Sequence, residues 1–64
     1  MQDVKALTDV ELTELWLSEV KGYPDTREVI QAIDYEMRER GQERVRTAWH
    51  AVAAKREAAK EVSP

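Results

Sequence analysis

The chain has 64 residues and a mass of 7.4 kDa, enough for one small domain and too little for a cleft between two lobes. Charged residues make up 36% and hydrophobic ones 42%, which is globular composition at its polar end and not that of a disordered chain. Ten Lys and Arg against thirteen Asp and Glu give a net charge of −3, an argument against retention on nucleic acid by bulk charge.

Residues 1–6 carry no apolar pattern and are expected to fray, as are residues 62–64, within a single helical domain spanning residues 1–64. The first helix is expected over residues 8–21. Thr8-Asp9-Val10-Glu11 has the form of a capping box, with Leu7 and Leu12 at the two positions of a hydrophobic staple. Leu12, Leu15 and Trp16 form one apolar face, with Val20 at its edge. Gly22 supplies a stop, and Gly22-Tyr23-Pro24-Asp25 reads as a turn.

A second start follows at Asp25-Thr26-Arg27-Glu28, an aspartate cap with glutamate three residues on. From there an apolar stripe runs through Ile30, Ile33, Met37, Gly41, Val45, Ala48, Val52 and Ala59, and with the aliphatic stem of Lys55 taking the position between the last two it averages 3.6 residues per step. Gly41 could end this helix and begin a third. A mid-helix glycine costs only about 1 kcal/mol against alanine, and Gln42-Glu43-Arg44 offers no Ser, Thr, Asp or Asn to cap a new start. The expectation is therefore one long helix over residues 26–61, and an all-α helical hairpin.

Such a helix would span about 54 Å against about 21 Å for the first. The uncovered half of its stripe calls for a second chain, so the hairpin is expected to form a homodimer in a four-helix arrangement. The expected interface is Val45, Ala48 and Val52, with Gly41 permitting close backbone approach and Val10 and Leu17 adding a second apolar side to helix one.

Chemistry is sparse along this chain. Without Cys there is no disulfide, thiolate metal site or Cys nucleophile, and the one His cannot build a His-based metal cluster. His50 has no acidic, Ser or Cys partner at helical contact spacing, and the carboxylates sit on solvated faces. Asp34/Arg38 and Glu36/Arg40 are spaced for intrahelical ion pairs. No phosphate loop or metal-ligand spacing occurs, so no enzyme, cofactor or metal is expected. No apolar run reaches the length of a membrane span or signal-peptide core, and a cytoplasmic chain is expected.

Charge is unevenly divided. Residues 1–35 hold three bases against eight acids, net −5, and residues 36–64 hold seven against five, net +2. The cluster Arg38, Arg40, Arg44 and Arg46 is interrupted by Glu39 and Glu43, as on a solvated face laced with ion pairs. A nucleic-acid-associated regulator using Arg38 to Arg46 is the alternative function, weakened by those glutamates and by the lack of a base-stacking platform. On a continuous helix, Tyr35, Arg38, Gln42, Arg46 and Trp49 form a ridge beside the stripe, made of residue types that dominate partner affinity. This ridge is the expected partner-binding surface, although Trp49 could equally pack in the dimer seam.

In style, the Leu7-Thr8-Asp9-Val10-Glu11-Leu12 opening, the Arg38-Glu39-Arg40-Gly41 segment and the Ala/Arg/Glu-rich tail resemble very small helical accessory proteins of temperate bacteriophages. That resemblance implies a protein that binds and blocks a host protein, in the manner of an inhibitor or anti-activator. It transfers no functional residues.

Overall fold

The local rules succeed first at Thr8. In the computed structural model, which describes residues 3–62, the Thr8 hydroxyl accepts from the Glu11 amide at 3.1 Å and the Glu11 carboxylate accepts from the Thr8 amide at 2.8 Å. This closes the capping box of helix α1 (Asp9–Val20). Leu7, before the cap, packs against the cluster that contains Leu12. Two more helices follow, α2 (Arg27–Arg40) and α3 (Gln42–Val62), and a 3₁₀ turn at Val4–Ala6 precedes α1. Among the described residues the fold is all-helical, with three helices.

The long helix over residues 26–61 does not form. Gly41 adopts φ 105° and ψ 149°, a region essentially reserved for glycine. Its amide still donates to the Met37 carbonyl, and its own carbonyl accepts from the Val45 amide, each at 3.2 Å. One residue thus closes α2 and opens α3. Glycine is itself an acceptable N-cap, so the lack of Ser, Thr, Asp or Asn after it did not forbid a new helix. Nor does Gly41 serve close packing: a Cβ built there would meet nothing within 4 Å.

The second expected cap is also different. Thr26 precedes α2 without a side-chain cap hydrogen bond, because its hydroxyl donates across the turn to the Glu19 carbonyl. Gly22 lies under this contact, and a Cβ there would come within 2.9 Å of the Thr26 methyl.

Helix α1 packs against both α2 and α3, which also contact each other. Leu12, Ile33 and Met37 form the central cluster, at 1%, 0% and 8% exposure. Leu15, Trp16 and Val45 pack against it half-buried. Burying a side chain the size of Leu12 or Ile33 contributes about 1.5–3 kcal/mol. Thr13 is also buried, its hydroxyl donating to the Asp9 carbonyl at 2.9 Å.

The basis of the expected dimer seam is corrected by the same packing. Ala48 and Val52 are buried within the single chain, at 3% and 2% exposure, and Val45 packs against its core. Val10 and Leu17 are half-buried, one turn either side of buried Thr13. Helix α1 packs against two helices of its own chain, so apolar residues on two of its sides do not require a second copy. The break at Gly41 is what brings Val45, Ala48 and Val52 under cover, while Ala59, the last position of the stripe, stays exposed.

Fraying of residues 1–6 is corrected for the part described. Asp3 caps the 3₁₀ turn by accepting from the Lys5 amide at 3.1 Å, and Arg40 donates to the Val4 and Lys5 carbonyls at 3.1 and 3.3 Å. Of residues 62–64, Val62 still belongs to α3, and residues 1, 2, 63 and 64 lie outside the described residues.

Candidate functional site

Three elements converge on one groove. Trp16 comes from α1 and Trp49 from α3, and their rings meet edge to face, centroids 5.6 Å apart at 76°. Such a pair contributes ~0.5–1.5 kcal/mol beyond the area it buries. Met37 from α2 and Val45 from α3 complete an apolar lining around about 420 Å³ of space. Asp34, Arg38 and Gln42 supply the polar rim. Arg38 and Asp34 are paired at 3.1 Å, with 80% and 50% of their side-chain surfaces exposed. At that exposure the pair contributes little to stability, roughly 0–1 kcal/mol.

Of the expected ridge, Arg38, Gln42 and Trp49 line this groove together. Tyr35 and Arg46 are exposed and lie outside its lining. A hydrogen bond to the Glu39 carboxylate, one turn on, pushes the Tyr35 phenol above its usual value. The ridge reasoning missed Trp16, Met37, Val45 and Asp34. Trp16 lies on the apolar face of α1 and Met37 on the stripe of α2, and both also meet the core. The signal that could have found them was Trp16 itself, the second large aromatic on an apolar face.

The arginine cluster divides into two roles. Arg44 holds Asp9 with a two-pronged contact, Nε to Oδ2 at 3.0 Å and Nη2 to Oδ1 at 2.8 Å. Arg40 adds a third bond to Asp9 at 2.9 Å and a fourth to Glu36 at 2.9 Å. The Arg44 hydrogen bonds, helped by those of Arg40, hold the Asp9 carboxyl below its usual range. Two of the four arginines thus knit the fold, which leaves Arg38 and Arg46 on the outside.

No protein-family model, curated protein or solved structure matches this chain. The geometry alone carries the functional argument. Among the described residues, no three metal-ligating side chains converge, and no helix is long and apolar enough to cross a membrane. The groove lining contains no Ser, Thr, His or Lys, and its one carboxylate is paired with Arg38. An apolar floor with a polar rim is suited to holding an apolar side chain and orienting what surrounds it.

Proposed function

We propose that this protein is a small binding module whose Trp16–Trp49 groove receives an apolar anchor side chain from another protein. The observation that carries the reading is the edge-to-face tryptophan pair lining an open groove rimmed by Asp34, Arg38 and Gln42. Tryptophan and arginine side chains in one desolvated pocket are the usual source of binding energy at protein interfaces. Arg38 on the rim, 80% exposed although paired with Asp34, favours a partner segment with an acidic residue beside its anchor. Binding of that kind acts by covering the partner's surface, the blocking mode that the likeness to phage accessory proteins implies. Self-association is compatible with this reading but does not run through Ala48 or Val52.

The test is capture from extracts of the source cells, with bound proteins identified by mass spectrometry. Trp49→Ala and Arg38→Ala should each lose the captured partner while retaining wild-type circular dichroism. Capture that is indifferent to both substitutions in folded protein would reject the groove as the recognition site.

A further inference from the structure

A second groove lies between the 3₁₀ turn, α1 and α2. It is larger, about 660 Å³, and its floor is Val4, Leu15, Val29 and Ala32. Val29 is 41% exposed, and α3 contributes no residue to the lining. The rim carries three acids, Asp3, Glu19 and Glu28, against one base, Lys5. An uncovered apolar patch with a charged rim marks a place of association.

The complementary surface is on the same chain. From Ala53 to Lys60 every residue of α3 is exposed. This end carries Lys55, Arg56 and Lys60 against Glu57 and Glu61, with Lys55 already paired to Glu14 at 3.0 Å and alanine at residues 53, 54, 58 and 59. On a helix Arg56 and Lys60 share one side with Ala53. Alanine side chains let a helix axis approach a shallow floor closely, and the flanking cations match the acidic rim. The chain cannot satisfy itself, because its α3 is held by Arg44–Asp9, Trp49–Trp16 and Lys55–Glu14 contacts. None of those six residues lines the groove. The tryptophan groove is a poorer host for the same end, since its rim balances Arg38 against Asp34 and carries no net negative charge.

We propose that the Val4–Leu15–Val29–Ala32 groove receives the cationic end of α3 from a second copy of this chain. The two surfaces differ, so the contact is heterologous, and copies add in series unless the rotation between them closes a ring. The acidic first half and basic second half of the sequence then have a physical consequence, a chain whose copies attract head to tail. The groove and helix end involved are separate from the tryptophan groove, so this inference stands or falls independently of the proposed function.

Sedimentation velocity across a concentration series tests it, at ~10 mM and ~0.5 M salt, where screening lengths are about 30 Å and under 5 Å. At low salt the weight-average mass should climb above 7.4 kDa with concentration, and high salt should return it toward the monomer. Glu28→Lys and Lys60→Glu should each weaken association by about tenfold or more, with unchanged circular dichroism. Mixed in equal amounts the two variants should associate again, because each supplies what the other lacks. Val29→Asp, in the floor, should abolish association without a charge change on α3. A mass fixed at the monomer value at low salt, or association that both reversals leave unchanged, overturns the proposal. So does a mixture that fails to recover.

Discussion

Arg40 ties more of the chain together than any apolar residue of its size could. Its guanidinium donates to Glu36 on its own helix, to Asp9 on α1, and to the Val4 and Lys5 carbonyls of the 3₁₀ turn. Only 9% of its side chain is exposed. A planar five-donor fork can serve all these acceptors at once, whereas a lysine ammonium on a flexible stem cannot. Arg40→Ala strands the Glu36 carboxylate, only 12% exposed, while Asp9 keeps Arg44, and should cost roughly 3 kcal/mol, the low end for breaking a buried pair. Arg44, 59% exposed, donates to the same Asp9, yet Arg44→Ala should cost under about 1 kcal/mol. Urea denaturation of the two variants checks this, and equal losses would contradict the assignment of Arg40 as the hub. Gly41 is the other residue whose identity is forced. Its positive φ, with open space where a Cβ would go, makes Gly41→Ala a matter of backbone strain alone. A loss of about 1–3 kcal/mol is expected in thermal melts, and a gain would instead indicate a continuous helix.

At the scale of the elements, what was legible in the sequence was what is local. The Thr8–Glu11 box needs only four consecutive residues, and it formed as its spacing required. Thr8→Ala should therefore cost about 1 kcal/mol, read as a lower urea midpoint. The box at Asp25 had the same spacing and did not form, because Thr26 and not Asp25 stands at the N-cap of α2, and its hydroxyl is engaged by the Glu19 carbonyl seven residues back. Periodicity put Ile33, Met37, Ala48 and Val52 on one apolar stripe, and all four are buried, but it could not distinguish one helix from two and so sent Ala48 and Val52 to a dimer seam instead of the chain's own interior. Where the stripe crosses Gly41, Met37 of α2 and Val45 of α3 meet the same cluster around Leu12. The ordered Val4–Ala6 turn was invisible for a related reason: its anchor is Arg40, 35 and 36 residues away. The candidate groove was half legible. Arg38, Gln42 and Trp49 share a ridge along the chain, whereas Trp16 reaches them only through the packing of α1 on α3.

At the scale of the whole molecule, stability and acidity are linked through the Asp9 node, which joins α1, α2 and α3. Arg44 and then Arg40 hold the Asp9 carboxyl below its ordinary value of 3.8. The Glu11 carboxyl is held below 4.5 by the backbone hydrogen bond of the capping box. A carboxyl whose pKa is lower folded than unfolded binds more protons in the unfolded chain, so it contributes stability that is complete above the unfolded value. That contribution drains away as pH falls through the folded value. The window for both groups therefore lies below about pH 4.5, where the reference carboxyls titrate. Near neutrality these two groups leave stability flat. Asp9→Asn removes one of them: the variant should be less stable than wild type at pH 7, since Arg40 and Arg44 lose their charged acceptor. It should also lose less on acidification, since position 9 no longer takes up a proton. Urea midpoints measured from pH 7 down to about pH 2.5 should thus converge for the two proteins in acid. Curves that run parallel throughout would show that the three-helix junction does not depend on the Asp9 charge, and that Arg40 acts through Glu36 and the two carbonyls instead.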